Sequence, residues 1–137
     1  MEEESLPDLL GAVARAMRSR QREGLGHLGV TPSQARAVGV LRRHGTMRAG
    51  DLAAHLRIVP RSATEVVDDL EERGLVARSP DPADRRATLV SLTEAGEATA
   101  AQIRAAQGVA GAELFGRLGD EDRAELARIL RLLRDTP

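Results

Sequence analysis

Residues 60–96 read PRSATEVVDDLEERGLVARSPDPADRRATLVSLTEAG, and this stretch decides the fold. Its first part has apolar residues every three or four positions, which predicts an α-helix over about residues 61–73. The period then changes, and residues 75–78 and 87–92 are predicted to be β-strands. Between them, residues 79–86 are rich in Pro, Asp and Arg and are predicted to form the loop of a β-hairpin. The stretch therefore predicts a helix followed directly by a hairpin.

Helix signals dominate the rest of the chain. Ser5-Leu6-Pro7-Asp8 and Thr31-Pro32-Ser33-Gln34 both have the pattern of a helix start, in which Ser or Thr caps the first turn and Pro follows. A short helix is predicted around residues 52–56. Thr93 begins a long Ala-rich helix, and Asp120 is predicted to cap a last one. The order is four helices, a hairpin and two helices, which is a mainly α fold with a small β-hairpin wing.

Two short helices joined by a tight turn, with a hairpin directly after the second, describe a winged helix-turn-helix. The second helix of such a module suits the major groove of DNA. The hairpin loop suits a narrow minor groove, where the negative potential favours Arg. Asp84 is predicted to stabilise the wing by holding Arg86 through a charge-assisted hydrogen bond. The candidate DNA-binding residues are Arg48, Arg57, Arg61, Ser62, Thr64, Glu65, Arg78, Arg85 and Arg86. Of these, Arg48, Arg57 and Arg78 flank the reading surface and are predicted to contact phosphate.

The charge pattern opposes tight DNA binding. The net charge is −1, with 20 basic residues that are all Arg and 21 acidic ones. Residues 60–73 carry two Arg against five acidic residues, a net charge of −3. Over residues 40–92 nine Arg stand against eight acidic residues, a net charge of +1, so we expect modest non-specific affinity for DNA that falls steeply with salt. The acidic helix leaves open an alternative, in which the winged helix binds a protein and not DNA.

Several other classes of function are disfavoured. With one Phe and neither Tyr nor Trp, the chain has no aromatic platform for stacking the bases of single strands. It lacks a Gly-rich phosphate loop, a nucleophile elbow and an HExxH motif, so we expect no enzyme activity. The absence of Cys and the spacing of the three His predict no metal site and no cofactor. Short apolar runs and an acidic start, Met1-Glu2-Glu3-Glu4, predict a cytoplasmic protein without a membrane partner.

The segment Leu70-Glu71-Glu72-Arg73-Gly74-Leu75-Val76, together with residues 84–96, resembles the MarR family of bacterial regulators. That family's wing motif has Asp, any residue, Arg, a hydrophobic strand, Leu-Thr and a Gly three residues later. The chain matches it with Asp84 and Arg86, then Leu92-Thr93 and Gly96. The similarity extends over about residues 5–135, although only residues 60–96 are specific. Glu65 and Asp69 depart from the family's pattern, because relatives often carry basic or neutral polar residues there.

The resemblance implies a homodimer that represses transcription at a palindromic operator. It also implies release of the DNA by a small ligand, often phenolic, that binds between the dimerisation and DNA-binding parts. Because aromatic residues are scarce, we expect a pocket lined by Leu, Val, Met and Ala, which suits a small apolar or aromatic ligand.

The expected organisation is a single MarR-like domain over residues 1–137. Its winged helix-turn-helix spans residues 31–93, and dimerisation helices lie within residues 1–30 and 94–137. Wide apolar stripes on the first and last helices support the dimer independently, since such stripes must be buried somewhere. Two-fold pairing of these helices would set the recognition helices roughly 34–36 Å apart. The predicted dimerisation residues are Leu6, Leu10, Val13, Met17, Leu126, Ile129, Leu130 and Leu133.

Overall fold

The structure is a computed structural model that describes residues 3–137. It confirms the mainly helical fold with a small β wing. In chain order its elements are α1 (Leu6–His27), α2 (Pro32–His44), β1 (Met47–Arg48), α3 (Ala49–Leu56), α4 (Pro60–Glu72), β2 (Val76–Asp81), β3 (Asp84–Leu92), α5 (Glu94–Phe115) and α6 (Asp120–Arg134).

The predicted helix caps are confirmed at three of four starts. The Ser5 hydroxyl accepts a hydrogen bond from the backbone of the first turn of α1. Thr31 forms a capping box at α2, and Thr93 caps α5. At α6 the prediction is wrong by one residue, because Gly119 is the N-cap and Asp120 is already helical. Its carboxylate still lies in the first turn, where the helix dipole favours a negative charge.

The wing belongs to a three-stranded antiparallel sheet, not to an isolated hairpin. The strand order is β1-β3-β2, and Met47 of β1 pairs with Val90 of β3. β1 was not predicted because two residues are too few to show a period. The hairpin is also longer than predicted, since the expected eight-residue loop is largely strand and Pro80 lies opposite Thr88. Pro is tolerated there because β2 is an edge strand.

One hydrophobic core joins α2, α3, α4, the sheet and α5. Its fully buried centre consists of Val38, Leu52, Val67, Leu70 and Val90. Leu25 is the buried residue of α1, and α6 has none within the chain. The winged module therefore shares one core with α5 and with Leu25 of α1, and α6 lies outside it. Among the helices in residues 3–137, none has the length and apolar character needed to cross a bilayer.

The start of α5 is locked onto the junction between α4 and β2. Gly74 has a φ of +76°, which ends α4 in the left-handed region. The Thr93 hydroxyl donates to the Gly74 carbonyl at 2.6 Å, and the Thr93 amide donates to the Leu75 carbonyl at 3.0 Å. A Cβ at Gly96 would lie only 2.0 Å from the Leu75 oxygen. Leu-Thr followed by Gly is thus required by the close approach of α5 to this backbone.

Candidate nucleic-acid interface

Helix α4 buries one face and leaves the opposite face open at its N-terminal end. Ala63, Val67 and Leu70 are buried against the core. Arg61, on the other side, has a side chain that is 92% exposed, and its Nε lies 4.0 Å from Glu65 Oε1 one turn later. The first turns of α4 therefore present an Arg and a Glu to solvent.

The two hydroxyl residues predicted on α4 are less free than these charged ones. Thr64 Oγ1 donates to the Pro60 carbonyl at 3.0 Å, so its proton is used within the helix. Ser62 is half-buried. Arg61 and Glu65 are consequently the side chains of α4 best placed to meet a ligand that approaches the exposed end.

Arg78 neutralises part of the acidic half of α4. Its guanidinium lies 2.6 Å from Asp68 Oδ1 and 3.0 Å from Glu71 Oε1. The Arg78 backbone amide also donates to Glu71, at 3.2 Å. Arg78 was predicted to contact phosphate, and here it bridges β2 to α4. The helix therefore projects less negative charge than its sequence indicates.

The wing tip is attached to β1 by Arg48, another predicted phosphate contact. Arg48 Nε lies 2.7 Å from Asp81 Oδ2, and Asp81 Oδ1 accepts from the Ala83 amide at 2.9 Å. The Ala83 amide and, after it, Arg48 lower the pKa of Asp81 below its usual range. The same carboxylate raises the pKa of Arg48. This pair holds the hairpin turn against the rest of the sheet.

Asp84 stabilises the wing through the backbone, not through the predicted side-chain pair. Its Oδ1 accepts from the Arg86 amide at 2.9 Å, which shapes the turn and leaves the Arg86 guanidinium out of the contact. Arg85 and Arg86 are both exposed. Within the described part of the chain neither forms a salt bridge. The wing thus carries two arginines available to a polyanion.

Arg57 occupies the turn between α3 and α4 in a strained conformation. Its φ of 55° lies in the left-handed region, and it is the only residue other than Gly with a positive φ in residues 3–137. Such a conformation costs roughly 1 kcal/mol for a residue with a side chain. Arg57 is exposed, so the turn presents a second Arg, besides Arg61, near the start of α4.

A groove of about 500 Å³ lies between α2, α3 and α5. Its apolar lining includes Val40, Leu56 and Ile103, as the sequence led us to expect of a pocket, but no Met of residues 3–137 lines it. The arginines were not foreseen. Among residues 3–137 no acidic side chain lines this groove, whereas the basic residues are Arg36, Arg42, Arg43, His55 and Arg104. Its volume is in the range of small-molecule sites.

The predicted dimerisation residues lie on two helices with open apolar faces. Leu6, Leu10 and Val13 of α1 are exposed, and Met17 is half-buried. On α6 the residues Ile129, Leu130 and Leu133 are exposed, and Leu126 is half-buried.

Comparison with known proteins decides the family. The model of the MarR family matches residues 30–88, from the start of α2 into β3. An HTH-type transcriptional regulator of Mycobacterium leprae is 33% identical over 132 residues, which cover 91% of this chain and 87% of that protein. The chain belongs to the MarR family. The HTH-type transcriptional repressor MdtR of Bacillus subtilis is also similar, at 28% identity over 120 residues, 88% of this chain and 77% of MdtR.

Solved structures of the MarR family share the whole fold. MarR of E. coli superposes with a TM-score of 0.87 at 27% identity, covering 97% of this chain and 98% of MarR. A MarR family protein of Mycobacterium tuberculosis in complex with DNA has a TM-score of 0.81 at 27% identity, with 96% and 98% covered. Bordetella bronchiseptica BpsR, whose DNA binding is regulated by 6-hydroxynicotinic acid, has a TM-score of 0.76 at 26% identity, with 98% and 96% covered. Membership of the MarR family thus places the chain among DNA-binding transcriptional regulators.

Proposed function

We propose that the protein is a sequence-specific repressor that binds double-stranded DNA as a homodimer at a palindromic operator. The observation that carries this proposal is the exposed start of α4, with Arg61 and Glu65, in a module whose wing ends in two unpaired arginines. A helix fits the major groove, and arginines are attracted to a narrow minor groove. The M. tuberculosis relative in complex with DNA supports it.

The interface residues divide into two roles. Arg61 and Glu65 contact base edges, and Glu65 accepts from a cytosine amine. Ser62 and Thr64 lie beside them, Arg57 contacts phosphate, and the wing arginines enter the minor groove. Arg48 and Arg78 act indirectly, because their ion pairs hold the wing and α4 in place.

Dimerisation is supported by the open faces of α1 and α6. Leu6 is 81% exposed and Leu10 58%, and no residue of α6 is buried within the chain. Two-fold pairing would remove these apolar surfaces from water, which is favourable by roughly 25 cal/mol per Å². The outer segments 1–30 and 94–137 then form the dimer around the winged module of residues 31–93.

A small ligand releases the DNA by binding in the groove between α2, α3 and α5. A groove lined by both arginines and apolar side chains suits a ligand with an anionic group and an apolar part. The sequence predicted only that the ligand is small and apolar or aromatic, so the structure adds a negative charge to that prediction. BpsR, regulated by 6-hydroxynicotinic acid, supports this class of ligand.

We expect 6-hydroxynicotinic acid to raise the melting temperature of the protein more than the neutral 6-hydroxynicotinamide does. Arg104→Gln should abolish the difference, and equal effects of acid and amide would contradict the anion site.

The principal test is a gel shift with the DNA upstream of the protein's own gene, at two salt concentrations. A repressor gives one sequence-selective complex that weakens steeply with salt. Failure to select any sequence, by a protein that is folded and dimeric, would favour the alternative of a winged helix that binds another protein. Either function is that of a cytoplasmic binding protein without enzyme activity.

A further inference from the structure

Val59 is an exposed apolar residue where the winged module would meet DNA. Its side chain is 63% exposed, although it directly precedes the first turn of α4. Within residues 3–137 the other large exposed apolar side chains lie on α1, α5 and α6. Most of these other side chains lie on α1 and α6, and the proposed dimer would bury them. Dimerisation through α1 and α6 gives Val59 no partner.

Val59 is also a poor choice for the position it occupies in the helix. It is the N-cap of α4, and it provides no side-chain hydrogen bond to the first turn. Ser5, Thr31 and Thr93 provide that bond at α1, α2 and α5. Val is among the least favourable N-cap residues. The chain therefore places an exposed isopropyl group at this site at the expense of helix stability.

Packing within the subunit does not explain this choice. The neighbouring Ile58 packs against the core and can anchor the entry to α4. Val59, one residue later, stays largely in solvent beside Arg61, whose side chain is 92% exposed. An apolar group next to a polar reading surface suggests that part of the bound partner is apolar.

We propose that Val59 contacts the C5 methyl group of a thymine in the major groove and so sets part of the operator specificity. This inference rests on the proposed DNA-binding function. An isopropyl group cannot form hydrogen bonds, and the C5 methyl of a pyrimidine is the apolar feature of the major-groove edge. Thymine carries that methyl group, and 5-methylcytosine shares it. Arg61 and Glu65 would supply polar contacts to neighbouring bases.

The test removes the C5 methyl group from the DNA and, separately, the two γ-methyl groups of Val59 from the protein. An operator is first selected from random duplexes, and its thymines are then replaced by deoxyuridine, one symmetric pair at a time. We expect the wild-type protein to lose about fourfold in affinity per half-site at one position, as for burial of one methyl group. Val59→Ala should bind the thymine and deoxyuridine operators equally. Val109→Ala, the same change at an exposed Val of α5, should keep the wild-type ratio.

A second variant separates methyl recognition from stability. Val59→Ser restores a capping hydroxyl, so we expect the melting temperature to rise by about 3 °C. The same variant should lose its preference for thymine over deoxyuridine. A structural role for Val59 predicts the opposite pair of results, a lower melting temperature and an unchanged preference.

The outcomes distinguish this inference from the function on which it rests. Failure to select any operator sequence overturns the repressor proposal itself. A selected operator whose thymine preference is the same in wild type, Val59→Ala and Val59→Ser overturns only the role of Val59. If 5-methyldeoxycytidine in place of deoxycytidine raises wild-type affinity while deoxyuridine has no effect, the methyl group belongs to a modified cytosine and the thymine assignment is wrong.

Discussion

Arg86 has a side chain that we propose contacts DNA and that the fold does not use. Its guanidinium is exposed at the wing, and its backbone amide is held by Asp84. Because the backbone contact does not need the side chain, Arg86→Ala should fold normally. We expect operator affinity to fall about tenfold, as for loss of one specific Arg contact. Fluorescence anisotropy measures the affinity, and sedimentation should show an unchanged mass. Wild-type affinity in the variant would remove the wing contact from the proposal.

Gly96 shows the opposite case, a residue that serves only the fold. A Cβ there would lie 2.0 Å from the Leu75 oxygen, too close for any atom. Gly96→Ala should therefore force α5 away from β2 and lower the free energy of unfolding by about 3 kcal/mol. Gly108→Ala is the matched control, because the same helix has open space at that position. It should raise stability by up to about 1 kcal/mol. Urea denaturation of both variants measures the difference, and a Gly96→Ala variant as stable as wild type would contradict the close approach.

At the scale of elements, the wing is an attached structure. Arg48 of β1 reaches Asp81 at the end of β2, and Arg78 of β2 reaches Asp68 and Glu71 of α4. These ion pairs connect two positions of β2, Arg78 and the terminal Asp81, to elements outside the hairpin. The hairpin therefore keeps a defined orientation relative to α4. The proposed binding mode requires this, because α4 would enter the major groove while the wing enters the adjacent minor groove.

The Arg48–Asp81 pair gives this attachment a defined pH dependence. The pKa of Asp81 is lower in the folded state than in the unfolded chain. The ion pair therefore contributes fully to the stability of the fold at pH values above the ordinary carboxyl pKa. It is lost as the pH falls through the depressed value. The attachment should therefore be constant near neutrality and fail only in acid.

A carboxyl NMR titration tests this origin of the shift. Arg48→Gln should raise the pKa of Asp81 toward its usual range. Part of the depression should remain, because the Ala83 amide still donates to the carboxylate. A midpoint for Asp81 that is identical in wild type and variant would show that Arg48 does not hold the turn.

At the scale of the whole molecule, the open apolar faces of α1 and α6 are the basis of the proposed dimer. Leu130→Glu should place a charge in the apolar face of α6 and convert the dimer to monomer, or unfold it. Ala124→Glu is the matched control, since the helical period puts position 124 on the opposite side of α6. Sedimentation equilibrium distinguishes the two masses. A dimer of unaltered affinity in Leu130→Glu would exclude this helix from the interface.

Local signals account for the features that could be predicted. The caps at Ser5, Thr31 and Thr93 depend on contacts between residues three apart, so their pattern is visible in the chain. The hairpin was also predicted from neighbouring residues, because the spacing of apolar residues changes from helical to strand-like after Gly74. Strand β1 and the true length of the wing were missed, because pairing with β3 creates them and two residues of β1 carry no pattern.

The sequence by itself determined the order of the helices and the hairpin, the winged helix-turn-helix and the candidate face of α4, because periodicity, caps and turn residues act within a few positions of the chain. Only the tertiary structure decided which charges remain free. Arg78 and Asp68 are 10 residues apart and Arg48 and Asp81 are 33 apart, so folding alone brings them together. Helix α4, whose sequence is acidic, is partly neutralised, Arg48 and Arg78 form ion pairs within the subunit, and the wing arginines form no salt bridge among residues 3–137. Charges cancel according to distance in space, and that distance is set by packing.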